Sequence, residues 1–126
     1  MTPSTGSGQA PRNDADCIFC KIIAGKVPAR EVFRDDEIVV LEDAKPQAPT
    51  HLLVMPKRHV KKASTFADEA SPASIARLFV KAAQIGRERG PDGFRIVINE
   101  GGDGGQTVGH LHIHVLAGRR MSWPPG

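Results

Sequence analysis

No stretch of this 126-residue chain approaches the roughly 18 consecutive apolar residues of a membrane span. Its start also lacks the charged-then-apolar pattern of a secretory signal. Cysteine is scarce, with only Cys17 and Cys20 present. Two cysteines at C-x-x-C argue against a secreted disulfide framework and read as a metal or redox pair. The expected compartment is therefore the cytoplasm, with no membrane as partner. Charge of one sign is in short supply too. Seventeen basic against 14 acidic residues leave +3, too little to argue for nucleic acid as a partner. The densest basic patch, Lys57, Arg58, Lys61 and Lys62, reads as a solvated surface. Internal repeats are absent, and the length fits one domain with a single core.

The opening MTPSTGSGQAPRND has almost nothing to bury, so residues 1–15 are expected to form a disordered leader and residues 16–126 the folded domain. Asp16 is a candidate N-cap for a short helix over residues 17–23, closed by Gly25 and stopped by Pro28. Residues 32–34 and 38–42 flank the acidic turn Asp35-Asp36 as a hairpin. Residues 52–55 form a third strand between prolines. Ser71-Pro72 opens a helix as cap and first-turn proline; apolar residues then recur at helical spacing until Gly90-Pro91. Residues 94–98 and 111–116 read as strands. Two helices among about five strands predict an α+β antiparallel sheet with the helices on one face.

Three of the five histidines fall within five positions, His110, His112 and His114. In a strand their side chains share one face about 6.6 Å apart, while Leu111, Ile113 and Val115 turn to the other. A helix would scatter the imidazoles and leave no apolar stripe. Three uses compete for such a row. It could be a tolerated polar face, a zinc hydrolase site, or a nucleophile with its helpers. In the third, a neutral imidazole donates one nitrogen to a backbone carbonyl and keeps a lone pair on the other. The preceding NEGGDGGQT is rich in glycine, which lets successive N–H groups converge on an anion. It has no G-K-[ST] ending and so is not a Walker loop. Beside the histidines it favours phosphate handling.

The row His110-Leu111-His112-Ile113-His114-Val115-Leu116 resembles the His-φ-His-φ-His-φ-φ signature of the histidine triad (HIT) family at all seven positions. The likeness extends through CIFCKIIAGKVPA, PQAPTHLLVMPKRH, VINEGGDGGQTVGH and AGRRMSWPPG. Its Trp-Pro-Pro-Gly ending points to the nucleotide-binding phosphoramidate hydrolases, the HINT-like branch. That resemblance implies a HIT fold and cleavage of purine nucleoside 5′-phosphoramidates, of the AMP-amine or aminoacyl-adenylate type, with no cofactor needed for catalysis. His112 is then the nucleophile that becomes nucleotidylated, with one ring nitrogen held by the carbonyl of His110. His114 stabilises charge on the α-phosphate, and His51 lies close to the nucleophile. Asn99, Gly105, Gln106, Thr107 and Val108 form the phosphate-side loop, and Asp43 accepts from the ribose hydroxyls. Ile18, Phe19, Ile22, Val27, Leu41 and Leu53 line the slot for the base, with Ala44 beside it. Ala44 stands where the branch often has a larger aliphatic, which would loosen that slot. Thr107 replaces a common serine, Gly109 a bulkier residue, and Ser122 a frequent histidine.

The resemblance also implies a homodimer that extends the sheet through residues 94–98 and packs the helix over residues 71–90 against its counterpart. Cys17 and Cys20 lie within one helical turn, so both thiolates can reach one ion. Some bacterial members complete a structural zinc site with a histidine after the Pro-Lys segment and the first triad histidine. Here those are His59 and His110. Two rival functions stand beside the hydrolase. One is a zinc-dependent hydrolase with the three histidines as ligands; the other is an AMP-binding regulatory or scaffold module with little turnover.

Overall fold

The computed structural model describes residues 15–126; the expected leader lies, but for residue 15, outside the described residues. The elements run α1 (Ile18–Ile23), β1 (Glu31–Arg34), β2 (Ile38–Glu42), β3 (Thr50–Pro56), α2 (Ala63–Glu69), α3 (Pro72–Arg89), β4 (Phe94–Ile98) and β5 (Ile113–Ala117). The five strands form one sheet in the order β1-β2-β3-β5-β4, each neighbouring pair antiparallel. No helix among the described residues is long and apolar enough to cross a membrane.

The apolar runs IVVL and LLVM of β2 and β3 are buried on both faces of the sheet. Ile38, Val40, Leu52 and Val54 face a core that also holds Phe66 of α2, Leu78, Ala82 and Ile85 of α3, and Leu111, Ile113 and Val115. Val39, Leu41, Leu53 and Met55 face the opposite way, onto Cys17, Phe19, Cys20 and Ile23 of the α1 segment. Each fully buried aliphatic is worth about 1.5–3 kcal/mol relative to exposure, so both layers are needed to keep the middle strands dry. The helices therefore do not share one face, contrary to the expectation from sequence. α2 and α3 cover one side, and α1 covers the other, where the histidines lie.

Three helices, not two, appear among the described residues. The expected strand over residues 111–116 begins regular pairing only at Ile113. Leu111 nevertheless keeps the alternation, because its N–H donates to the Val60 carbonyl (2.8 Å) and its side chain joins the α3-side core. The N-cap of α1 is Cys17 rather than Asp16; its Sγ accepts from the Cys20 N–H. At the other end the Lys26 N–H donates to Lys21 and the Gly25 N–H to Ile22. Gly25, at φ 79°, closes the helix in the left-handed conformation typical of such an end. α3 starts as predicted, with Ser71 accepting from the Ser74 N–H and proline in the first turn.

Candidate active site

α1, β3, the β2–β3 connection and the approach to β5 meet on the face opposite α3. β3 pairs with β5 in a register that sets His51 opposite Leu116 and Leu53 opposite His114. This places His51 of β3 on the same face as His112 and His114. The imidazoles of His112 and His114 stack edge to face at 4.9 Å between centroids, and those of His51 and His114 tilt at 5.2 Å. The Phe19 ring meets the edges of both His110 (5.9 Å) and His112 (5.1 Å), so the α1 turn packs directly against the nucleophile candidate.

Main-chain groups decide which nitrogen carries each proton. His112 Nδ1 lies 2.8 Å from the His110 carbonyl. A carbonyl only accepts, so Nδ1 bears the hydrogen and Nε2 keeps a free lone pair. His51 meets the reverse case, since its Nδ1 lies 2.9 Å from the Gln47 N–H. An amide N–H only donates, so His51 carries its hydrogen on Nε2. That hydrogen points to His114 Nδ1 at 2.9 Å, with Asp43 Oδ2 3.4 Å away. His114 thereby accepts at Nδ1 and holds its own hydrogen on Nε2. Two histidines two positions apart are left in opposite tautomers. His112 offers a lone pair, and His114 offers a donor.

Burial disfavours the charged forms of His114 and His51. Desolvation pushes His114 down to about 4, helped by His112 and His51 beside it and opposed by Asp43. Desolvation likewise lowers His51, partly offset by the Asp43 carboxylate. His114 at neutral pH is therefore an uncharged donor.

His110 turns away from this trio. Its Nε2–H donates to the Pro56 carbonyl at 2.8 Å, which leaves the Nδ1 lone pair facing the cysteines. Nδ1 lies 3.4 Å from Cys17 Sγ and 3.6 Å from Cys20 Sγ, and His59 Nδ1 lies 3.3 Å from Cys20 Sγ. One ligand atom from each of the four residues falls within 4.8 Å of every other. The sulfur–nitrogen edge of a tetrahedral site with Zn–S of about 2.3 Å and Zn–N of about 2.0–2.1 Å is about 3.5 Å. The four donors fit such an ion in type, number and spacing. The Pro56 carbonyl supplies the outer hydrogen bond that fixes a metal-binding imidazole.

Asp43, His51 and His114 are also close enough to consider for a metal, but their chemistry opposes it. A cation on His51 Nε2 would need a neutral ring protonated at Nδ1, where the Gln47 N–H already points. The three histidines of the row do not converge on one ion either. His110 and His114 fall in separate clusters, and His112 is in neither.

The glycine-rich loop is held in place by side chains. Gln106 donates from Nε2 to the carbonyls of Lys61 (2.6 Å) and Val108 (3.0 Å), and its Oε1 accepts from the Gly101 N–H. Asn99 Nδ2 donates to the Gly104 carbonyl at 2.7 Å. Gly105 has φ 80°, a conformation suited to glycine. Asn99 and Gln106 are thus engaged in shaping the loop. Thr107 and Val108 line a hollow of about 320 Å3 with Ile18, Lys61 and the cysteine–His59 corner. Of the proposed base slot, Phe19, Leu41 and Leu53 are buried in the α1-side core, with Ile22 and Val108 packed against it. Ile18 is 41% exposed, Val27 is half-buried, and Ala44 is on the surface. Asp43 Oδ1 accepts from the Lys45 N–H (2.8 Å), which orients its other oxygen toward His51.

Sequence reasoning assigned no role to Gln47, whose main chain sets the His51 tautomer, or to Glu100, which anchors the loop to α2. Both lie in stretches used for the family resemblance, but Gln47 acts through its main chain, which leaves no mark on residue type, and Glu100 reaches Ser64 from 36 residues away.

Comparison with known proteins agrees with this geometry. The family model described as HIT domain matches residues 24–121. The chain is 40% identical over 119 residues to a protein named Adenylylsulfatase HINT1 from Arabidopsis thaliana, covering 93% of this chain and 81% of that one. It is 42% identical over 113 residues to a 14 kDa zinc-binding protein from Brassica juncea, covering 88% and 100%. A solved HIT family hydrolase from Legionella pneumophila superposes with a TM-score of 0.82 at 42% identity, covering 88% of this chain and all of that one. The chain belongs to the HIT domain family and shares its fold with a solved hydrolase of that family.

Proposed function

We propose that the protein hydrolyses purine nucleoside 5′-phosphoramidates through a nucleotidylated His112. The reading is carried by the opposed tautomers of His112 and His114, a lone pair beside a neutral donor on one buried face. His112 Nε2 attacks the α-phosphorus, the P–N bond breaks, and the departing amine takes up a proton from solvent, which the later attack by water returns. Once nucleotidylated the ring is cationic, and its Nδ1–H stays bonded to the His110 carbonyl, which stabilises that charge. Water then attacks the same phosphorus, AMP leaves, and the lone pair returns to Nε2. His114 donates its Nε2–H to a phosphoryl oxygen as charge develops there. Thr107 donates near the leaving group, residues 99–108 cradle the phosphate, and Asp43 receives the ribose hydroxyls. Ile18, Ile22, Val27 and Ala44 complete the base slot around Phe19, Leu41 and Leu53.

Cys17, Cys20, His59 and His110 would hold a zinc that ties α1 to the catalytic segment. None of the steps above passes through that ion. The Brassica relative named for zinc binding supports this reading alongside the donor set. The protein works in the cytoplasm, where its thiols stay reduced, as a homodimer with neither nucleic acid nor membrane as partner.

The test is turnover of a fluorogenic adenosine phosphoramidate by the pure protein, with rapid-quench trapping of the adenylylated enzyme. Adenosine 5′-phosphosulfate serves as the second substrate, since the Arabidopsis relative carries the name adenylylsulfatase. His112→Asn should abolish turnover while leaving AMP binding and thermal midpoint close to wild type. A variant that keeps the wild-type rate sinks the mechanism.

A further inference from the structure

The chain turns sharply where β5 ends. Gly118 has φ 94°, and a Cβ there would meet Pro49 Cβ at 2.8 Å. Only glycine lets the strand exit press so closely on the connection between β2 and β3. The next residue, Arg119, donates from Nε to the Gln47 carbonyl at 3.0 Å, and its Nη1 donates to the Arg120 carbonyl at 3.3 Å. Gln47 is the residue whose N–H holds His51 Nδ1. The Gln47 side chain bonds back to the Lys45 carbonyl at 3.0 Å.

We propose that Arg119 is a positioning residue for the reaction: by holding the Gln47 carbonyl it keeps the Gln47 N–H on His51, and so keeps His114 in the tautomer that presents Nε2–H to the substrate. The links run Arg119, Gln47, His51, His114, each a single hydrogen bond; the first two have a fixed donor and acceptor, and the third takes its direction from them. Release of the Gln47 peptide frees His51 Nδ1 to take the hydrogen. His51 Nε2 then becomes an acceptor, His114 reverses to follow it, and a lone pair replaces the donor facing the phosphoryl oxygen. That lone pair would repel the developing charge. The exposed arginine never touches the reacting atoms in this scheme; it acts through the loop. The proposal rests on the reading that His114 donates to substrate.

Long-range 15N–1H correlation spectra of the full, ligand-free chain report the tautomer of each histidine directly. Wild type should show His51 and His114 protonated at Nε2 and His112 at Nδ1. Arg119→Met should give a mixed tautomer signal at His114. Its kcat on the adenosine phosphoramidate should fall about tenfold, part of the 10²–10³ that complete loss of a preorganised donor costs. KM and thermal midpoint should stay near wild type, and Arg119→Lys, which keeps a donor, should recover most of the rate. Arg119→Gln repeats the measurement should the methionine variant not fold. Unchanged 15N patterns at His51 and His114 overturn the proposal, whatever happens to activity. A rate loss confined to KM also overturns it, since that would mark Arg119 as a substrate contact. Failure of the phosphoramidate reading would look different: wild type would show the expected tautomers and no turnover.

Discussion

A histidine in this site is defined less by its side chain than by the main-chain group behind it. His112 has a carbonyl at Nδ1 and His51 has an amide N–H, and those two contacts separate the proposed nucleophile His112 from the proposed donor His114. Main-chain contacts fix the tautomers; burial disfavours the charged forms of His114 and His51, with a consequence for acid stability. His114 is held near 4 instead of the ordinary 6.5, and His51 is displaced in the same direction. As pH falls below about 6.5, the unfolded chain takes up protons that the folded chain refuses. Stability is therefore fully present above pH 6.5 and erodes as pH falls toward 4. Urea midpoints should drop between pH 7 and pH 5, and His114→Gln should make that drop shallower. An unchanged slope in the variant would mean that His114 is not the group responsible. Positions of the four site histidines were legible from sequence, by spacing and by family likeness. Their tautomers were not, because a peptide N–H at Gln47 looks the same whatever residue supplies it.

Packing between elements shows the same division between local and remote signals. α3 was readable from Ser71, Pro72 and its apolar spacing, all within the helix itself. α2 was not. It buries only Phe66, its N-cap Lys62 makes no side-chain cap, and no acidic residue lies in its first turn. The missing cap comes from Glu100, 36 residues away, which accepts from the Ser64 N–H (2.8 Å) and hydroxyl (2.7 Å). Glu100→Ala should lower the thermal midpoint through loss of the cap on α2, and should also raise KM by loosening the glycine-rich loop. An equal loss of stability with KM unmoved would show that the loop does not depend on that anchor. α3 and β4 are set by a closer contact. A Cβ on Gly86 would run into the Phe94 ring, so Gly86→Ala should destabilise by about 1–3 kcal/mol, typical of overpacking. Pairing it with Phe94→Ala should return most of that loss, and a strictly additive double variant would exclude the ring as the cause.

At the scale of the molecule, two surfaces remain to be accounted for. β4 is an edge of the sheet, and it exposes Phe94 and Ile98 while α3 exposes Phe79 at 63%. Such an edge invites pairing with another chain, which fits the expected homodimer. Light scattering should return twice the chain mass at micromolar concentration, and Ile98→Lys should move it toward the monomer. A wild-type monomer would refute that assembly. The cysteine–histidine corner makes its own forecast. Protein purified without chelator should carry about one zinc per chain, and Cys17→Ser should remove it. Position 110 belongs to both stories through different parts of one residue. Its ring faces the cysteines and its carbonyl faces the nucleophile. Every amino acid carries that carbonyl, so the proposed ion depends on the ring and the proposed nucleophile on the main chain. A lineage could shed Cys17, Cys20, His59 and the His110 ring by drift and still keep an armed His112. On the proposed reading, metal binding and hydrolysis could be gained or lost independently, and a designer could remove the four donors without altering a proposed reacting atom.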